Sequence, residues 1–500
     1  MERRSYRAAA PVCCRMRGLE ITGFVFSGAA RYRLPVQKIL VSDTCHAVTI
    51  SNATSHEDPL PRAIALHRQG RLDEAERIYR ELLAVDPNFP DALHFLGVLK
   101  HQLGQSALAI EYIGRAVELE PAHAGMRSNL GNVYMESGRL AAAEACYLAA
   151  IELAPDFADA HCNLAVVLRA RERPAEAVAA LRTAIAIDPN HCEAHLNLGE
   201  IDRDQRDWSS AIDHFRAAIR GRCGSGLRDR GAQSLVAALC RAGRADEATA
   251  ELRAWRDAAP DNPIAAHLLA AMTGTGVPPR ASDDYIKSTF DSFAASFDRV
   301  LEKLHYHAPK FVALRFEDFA RGLECKPVVL DAACGTGLVG ELIRPCAQTL
   351  VGLDLSPQML RRAAERDVYD SLLEAELAGY LQTTDSRFDA ITCADSLIYF
   401  GELEEVLCAA RRVLNPGGFL CFTVEKIPPD TRLRDFELQA HGRYRHRASY
   451  VRRALEQAGF IAIQIEDMHA RAEAGEPVAS LLVTARVSAP AQESSRGSVG

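Results

Sequence analysis

The sequence predicts two domains: an all-α superhelix of repeated helix pairs, then an α/β domain with a mostly parallel seven-stranded sheet. Two observations predict this fold class. Prolines recur every 34 residues between Pro87 and Pro189, a period typical of stacked helical hairpins. In the second half, an apolar run ends in Asp331, a glycine turn follows, and a second apolar run ends in Asp354. That order of segments is typical of a β–α–β unit in a parallel sheet.

Length and composition limit the class of protein. A chain of 500 residues is long enough for two or three domains, and a net charge of −8 predicts no bulk affinity for nucleic acid or anionic membranes. The 14 cysteines are scattered without a C-x-x-C pair, so we expect neither a zinc site nor a disulfide framework. No apolar run approaches the length of a membrane span. We therefore expect a cytoplasmic protein that binds no metal and does not enter membranes.

The two ends of the chain differ from the rest. Residues 1–55 are rich in arginine and poor in acids, which is compatible with a targeting peptide or with a poorly ordered extension. Serine is scarce and no amphipathic helix is evident, so the extension is favoured. Residues 488–500 are rich in Ser, Gly and Ala, and we expect a disordered tail there.

Residues 56–272 contain about six helix–turn–helix units and a final capping helix at Ile264–Met272. Small residues recur where helices must approach closely, and larger residues recur where they fill the space between helices. These positions are Ala75, Ala109, Ala143, Ala177 and Ala211, and Tyr79, Ile113, Tyr147, Leu181 and Phe215. With Leu130-Gly131-x-x-Tyr134, the unit resembles the tetratricopeptide repeat. The resemblance implies a concave groove that binds a protein or peptide; a spacer or a dimerisation arm is the alternative.

Residues 273–283 are a predicted linker, in which Gly274 to Pro279 form a hinge. A leader helix follows, with Phe290, Phe293 and Phe297 at helical spacing. These rings either close a site against water or pack on the sheet. Packing is the favoured role for at least two of the three.

The α/β domain is expected at 284–487, and strand ends are the predicted site. Ligands of such sheets bind at the carboxyl ends of the strands, which makes Asp331, Asp354, Glu376 and Asp395 candidates. The predicted strands are 328–331, 350–354, 370–374, 388–394, 418–425, 461–466 and 479–486, with helices between the first five.

The glycine turn and the two acids predict an adenosine-type cofactor. Glycines 335, 337 and 340 fit the G-x-G-x-x-G pattern of dinucleotide sites, and one carboxylate such as Asp354 can accept from both hydroxyls of a ribose. Asp331 would repel a pyrophosphate but could hold an ammonium group. The residues alone leave NAD as an alternative.

Four motifs in order resemble a class I S-adenosylmethionine-dependent methyltransferase of Rossmann-like fold. They are Val329-Leu330-Asp331-x-x-Cys334-Gly335-Thr336-Gly337, Gly352-Leu353-Asp354-Leu355-Ser356-Pro357-x-Met359-Leu360, Phe388-Asp389-Ala390-Ile391 and Leu414-Asn415-Pro416-Gly417-Gly418. The resemblance implies S-adenosyl-L-methionine as the cofactor. The predicted cofactor-binding residues are Asp331, Ala333, Gly335, Thr336, Gly337, Asp354, Leu355, Met359, Glu376 and Asp395. Ala333 departs from the family, which more often has a glycine there.

The sequence assigns no catalytic residue. Asp395 and Tyr399 are candidates, and His441 and His446 are unranked alternatives. Asp-Ser-Leu-Ile at 395–398 replaces the Asn-Pro-Pro-Tyr of amide and adenine N-methyltransferases, which argues against those acceptors. The basic and aromatic segment 442–450 is predicted to be a substrate-facing loop before a helix at Val451–Ala458.

Three functions remain open. The first is a methyltransferase whose repeats choose or deliver the acceptor. The second is a repeat-based adaptor with an inactive methyltransferase fold, and the third is an NAD-dependent oxidoreductase. The acceptor, the repeat ligand and the oligomeric state are not predicted.

Overall fold

The computed structural model describes residues 59–489 except 222, 295–296, 429–433 and 474–475. The predicted extension at 1–55 lies outside the described residues, as does the predicted tail from residue 490 onward.

The first half of the described chain is entirely helical. The helices form six packed pairs, α1/α2 to α11/α12, followed by α13, so the predicted all-α character of this half is confirmed. None of the helices in the described ranges is both long and apolar enough to cross a membrane. Their bounds are α1 Pro59–Arg68, α2 Leu72–Val85, α3 Pro90–Gln102, α4 Ser106–Leu119, α5 Ala124–Glu136, α6 Leu140–Leu153, α7 Ala158–Ala170, α8 Pro174–Ile187, α9 Cys192–Asp204, α10 Trp208–Arg220, α11 Ser225–Arg241, α12 Ala245–Ala258 and α13 Pro263–Thr273.

Close helix approach explains the recurring small residues. A Cβ at Gly131 would lie 2.7 Å from the Tyr147 ring, and one at Gly199 would lie 2.8 Å from the Phe215 ring. Both rings are fully buried. The glycines therefore let the second helix of each pair rest against the first, and a side chain at either position would force the helices apart.

One prediction about the cysteines is wrong. Cys192 and Cys223 form a disulfide in the repeat array. Cys223 lies 34 residues after Pro189, where the repeat period would place another proline. The chain there comes back to the start of α9, where Cys192 lies. The sequence separation of 31 residues gave no signal for this pairing.

Three helices precede the sheet: α14 Asp283–Phe293, α15 Phe297–Lys303 and α16 Ala308–Arg321. The sheet has nine strands rather than the predicted seven. The two additional strands, β6 and β7, form a short hairpin that extends from the end of β5. The bounds are β1 Val328–Ala332, β2 Thr349–Asp354, β3 Ser371–Glu374, β4 Phe388–Cys393, β5 Leu414–Lys426, β6 Phe436–Leu438, β7 Tyr444–His446, β8 Ile461–Glu473 and β9 Glu476–Arg486.

The sheet is mostly parallel. The strand order is β3-β2-β1-β4-β5, with all four of these pairings parallel, and β9 lies antiparallel between β5 and β8. Apolar clusters cover both faces, because buried parallel strands need helices on each side. The helices between and after the strands are α17 Leu338–Ile343, α18 Pro357–Ala364, α19 Leu377–Thr383, α20 Glu404–Val413 and α21 Ala448–Gln457.

Hydrogen bonds connect the segment between the two halves to the α/β domain. His267 of α13 contacts the Gly442 carbonyl through Nε2 at 2.9 Å, and the Tyr444 hydroxyl donates to the Pro278 carbonyl at 2.7 Å. The Ala281 amide donates to a carbonyl of the loop that follows β4 at 2.8 Å. The linker therefore contacts the α/β domain, and the hinge at Gly274 to Pro279 stays a prediction.

Candidate functional site

A pocket lies at the carboxyl edge of the sheet, where β1 to β4 end. All but one of the predicted site residues line it. Gly337 is the exception. The lining includes Asp331, Ala333, Gly335, Thr336, Asp354, Leu355, Met359, Glu376, Asp395 and Tyr399.

The loop after β1 adopts left-handed backbone conformations. The φ angles are 53° at Ala333, 56° at Gly335 and 89° at Gly337. Glycine accepts this region freely, whereas Ala333 is held there at a cost of about 1 to 2 kcal/mol. Strain of this kind is found at ligand sites where the surroundings determine the backbone.

The second and third glycines of the loop serve a packing role. A Cβ at Gly337 would lie 3.1 Å from the Tyr369 ring, and one at Gly352 would lie 2.9 Å from it. A Cβ at Gly340 would overlap the Tyr369 hydroxyl. The glycine pattern therefore makes room for an aromatic ring beneath the loop, and this accounts for Gly337 facing away from the pocket.

Asp331 is buried at the base of the pocket. Its carboxylate accepts from the Tyr369 hydroxyl at 2.7 Å and from Thr392 Oγ1 at 3.1 Å. Burial raises the pKa of Asp331 to about 6, although both hydroxyls favour the ionised form. Tyr369 therefore orients this acid, and no local sequence pattern identified it.

Asp354 holds the glycine loop against the end of β2. Its two oxygens accept from the Gly335 amide at 2.9 Å and the Ser356 amide at 2.8 Å. The Leu355 amide also hydrogen-bonds this carboxylate, and because a carboxylate has about four acceptor sites, acceptor capacity remains for a ligand. Burial raises the pKa of Asp354 to about 6.

We refer to Asp331 and Asp354 as the acid pair. Because each folded-state pKa lies above the ordinary value near 4, the stability that comes from protonation is present at low pH and is lost as the pH rises through about 6. At neutral pH the acid pair therefore places two negative charges in a buried pocket, which costs desolvation free energy. A bound cation would offset that cost.

Glu376 caps a helix as well as lining the pocket. Its carboxylate accepts from the Ala378 amide at 2.9 Å and the Gly379 amide at 2.6 Å, at the start of α19. Glu376 therefore caps the start of α19 while its side chain lines the pocket.

Asp395 is held by residues distant in sequence. Arg471 donates to Asp395 Oδ2 at 2.5 Å, and the Thr423 hydroxyl donates to Oδ1 at 3.0 Å. The φ of Asp395 is 52°, a second strained position in the pocket wall. Arg471 also donates to Glu425 at 2.5 Å and to Glu473 at 2.8 Å. A buried ionic network therefore fixes the carboxylate at the end of β4.

The leader helices close one side of the pocket. Asp291 accepts from the Ser356 hydroxyl at 2.6 Å, and Asp298 accepts from Thr336 Oγ1 at 2.5 Å. Phe290 and Phe297 line the pocket, whereas the buried Phe293 does not. Phe290 and Phe297 also pack against each other edge to face, at a centroid distance of 6.2 Å, so two of the three rings both pack and line the pocket.

The segment 442–450 is not the predicted loop. Tyr444–His446 is strand β7, Arg443 is buried and donates to Glu425 at 2.7 Å, and helix α21 begins at Ala448. Burial lowers the pKa values of His441 and His446. Neither histidine lines the pocket, so the structure does not bring them to the other candidate bases.

Within the described ranges, no group of three or more His, Cys, Asp or Glu side chains is placed to hold a metal ion.

The fold and the pocket define a class of protein: a helical-repeat array joined to an α/β domain that has a pocket at the carboxyl edge of its sheet. Comparison with known proteins specifies the class. Residues 330–422 match the family described as Methyltransferase domain, and residues 60–99, 90–123, 128–191 and 196–263 match Tetratricopeptide repeat families. The chain therefore combines a tetratricopeptide-repeat array with a domain of the S-adenosylmethionine-dependent methyltransferase fold.

Individual relatives cover part of the chain. It is 31% identical over 172 residues to methyltransferase-like protein 27 of Homo sapiens, covering 34% of this chain and 65% of the relative. It is 32% identical over 117 residues to ubiquinone biosynthesis O-methyltransferase of Thiobacillus denitrificans, covering 22% and 49%. The magnesium protoporphyrin IX methyltransferase of Synechocystis, solved with bound SAM, is 18% identical with a TM-score of 0.32, covering 41% of this chain and 97% of that one. The chain thus spans about half to two thirds of the length of these two curated relatives.

Proposed function

We propose that the protein transfers a methyl group from S-adenosylmethionine to an acceptor, and that the repeat array binds a protein that is the acceptor or delivers it. One observation carries the proposal: the acid pair, the glycine loop, Met359 and Asp395 converge on one pocket at the carboxyl edge of a parallel sheet.

The charges of the pocket fit this cofactor. Asp331, Asp354, Glu376 and Asp395 line it, and Arg280 is the one cationic side chain among the described lining residues. S-adenosylmethionine carries a sulfonium and an ammonium, which such a lining attracts. A dinucleotide pyrophosphate would meet buried carboxylates with raised pKa values, so the same lining argues against NAD.

We assign roles by position. Asp354 would hold the ribose hydroxyls, and Leu355 and Met359 would flank the adenine near Glu376. Asp331 would face the amino-acid end, beside Ala333, Gly335 and Thr336, and Asp395 would lie between that end and the acceptor. When bound, the cofactor supplies an electrophilic methyl group. Phe290 and Phe297 exclude water above it, and catalysis then rests mainly on positioning of the acceptor.

The remaining assignments belong to the same proposal. We assign the repeat domain to 56–272, the linker to 273–283 and the methyltransferase domain to 284–487, with the groove taking a protein or peptide. A cytoplasmic location is part of the proposal. Cysteines scattered without a metal pattern support it, whereas the Cys192–Cys223 disulfide argues for an oxidising compartment.

Calorimetry tests the proposal. S-adenosylmethionine and its demethylated product should bind the full-length protein, and NADH should give no heat. Labelled methyl transfer into a fractionated lysate then separates an active enzyme from an inactive adaptor. Cofactor binding without any transfer would favour the adaptor, and NADH binding would favour the oxidoreductase.

A further inference from the structure

The end of the pocket at β4 differs from the end at β3. Because the strand order is β3-β2-β1-β4, Asp354 and Glu376 lie on one side of the glycine loop and Asp395 on the other. The backbone of Arg280 bridges Phe400 after β4, but its guanidinium extends to the β3 side, where it donates to Asp283 at 2.6 Å and lies 4.0 Å from Glu376. If the cofactor binds as proposed, its adenosine occupies the β3 side, and the acceptor enters at the β4 side.

The acceptor end has one charge, and it is negative. Asp395 lines the pocket, whereas Arg471, which holds it, does not line the pocket and is already bonded to three carboxylates. A carboxylate or phosphate acceptor would therefore face Asp395 with no cation of the described lining beside it. Two negative charges in contact repel strongly in a buried site, where water screens them little.

Two tyrosines also line this end, beside Ala394 and Ser396. Tyr306 and Tyr399 line the pocket, and the Tyr399 ring meets Phe290 edge to face at a centroid distance of 5.6 Å. Burial raises the pKa of Tyr399 to about 12 and also raises the pKa of Tyr306 well above its ordinary value, so both phenols stay protonated at neutral pH. They offer ring faces and donors but do not serve as bases.

We propose that the acceptor is an amine. Rings around a single carboxylate are the chemistry that recognises an ammonium group. The bound ammonium first loses a proton to solvent; the neutral amine nitrogen then forms the new N–CH₃ bond as the S–CH₃ bond breaks, and sulfur keeps that electron pair. Positive charge thereby moves from sulfur to nitrogen, where Asp395 stabilises it, and the extra proton leaves to solvent afterwards. A hydroxyl acceptor would have to lose its proton at attack, which needs a base.

The chemical stability of the transferred label tests the acceptor class. The full-length protein and labelled S-adenosylmethionine are incubated with a lysate, and the products are treated with mild alkali and then with strong acid. Label that survives both treatments and is recovered in methylated amines supports the proposal. Release of volatile label by alkali indicates methyl esters, and recovery in O-methyl ethers or C-methyl products indicates other acceptors; each of these results overturns it.

A binding experiment tests the site independently of turnover. Saturation-transfer NMR compares butylamine with butyrate on the full-length protein with S-adenosylhomocysteine present. We expect contact with butylamine at least threefold stronger than with butyrate, and loss of that preference in Asp395→Asn but not in Asp385→Asn, an exposed acid. Equal contact, no contact with either probe, or an unchanged preference in Asp395→Asn overturns the proposal. If the nucleoside does not bind, the proposed function fails, and the same comparison without it still decides the amine site.

Discussion

Replacing Asp354 by alanine is the sharpest single perturbation of the proposed cofactor site. The carboxylate accepts from the backbone amides of Gly335 and Ser356 and lines the pocket. Asp354→Ala removes the proposed ribose contact and leaves the glycine loop without its tie to β2. A hydrogen bond to a charged group contributes about 1.5 to 3 kcal/mol, which corresponds to a loss of about 12-fold to 160-fold in affinity.

Calorimetric titration with S-adenosylhomocysteine measures that loss, because this product binds without turnover. Asp385→Ala is the matched control: it removes an exposed acid from the loop before β4, at the opposite edge of the sheet. We expect wild-type affinity for the control and at least about tenfold weaker binding for Asp354→Ala. An affinity within threefold of wild type, in a folded Asp354→Ala protein, would remove this residue from the site.

Three further predictions concern charge, packing and the junction. Because a bound cation favours the ionised form of the acid pair, binding of S-adenosylmethionine should make the pair release protons near pH 6, where it is partly protonated, but not at pH 8. Calorimetry in buffers of different ionisation enthalpy measures this proton release, and binding heats that do not depend on the buffer at pH 6 would contradict the prediction. Gly199→Ala should overpack the helix pair, reduce the free energy of unfolding by about 1 to 3 kcal/mol and so lower the thermal midpoint, whereas Gly114→Ala, with open space around its Cβ, should raise the midpoint. Equal shifts in the two variants would show that close helix approach does not require glycine at position 199. Because α13 packs on the β6–β7 hairpin, a chain that begins at Pro263 should bind the cofactor and melt at a higher temperature than a chain that begins at Gly274, which lacks α13. Identical melting curves for the two chains would show that α13 does not stabilise the α/β domain.

Local and periodic signals made much of the fold predictable. The 34-residue period places a left-handed turn in successive units, at Gly70, Gly104 and Gly138, and each of the three has a φ above 70°. Short apolar runs that end in Asp331 and Asp354 predicted β1 and β2, and these two acids lie at the carboxyl ends of those strands. These features are readable because the residues that cause them are neighbours in the chain.

Contacts between distant segments were not predictable in this way. Tyr369 lies 38 residues from Asp331, and Arg471 lies 76 residues from Asp395. Strands β6 and β7 are three residues each, too short to show an alternating pattern, and β7 alone of the two pairs with the end of β5. The residues that orient the site therefore became visible only once the sheet brought them together.

The most direct test of the central claim is transfer of a labelled methyl group from S-adenosylmethionine into a fractionated lysate, with Asp354→Ala in parallel. We predict label in a discrete acceptor fraction with the wild-type protein, and at least about tenfold less with the variant. No incorporation by a wild-type protein that calorimetry shows to bind the cofactor would contradict the proposed transferase activity.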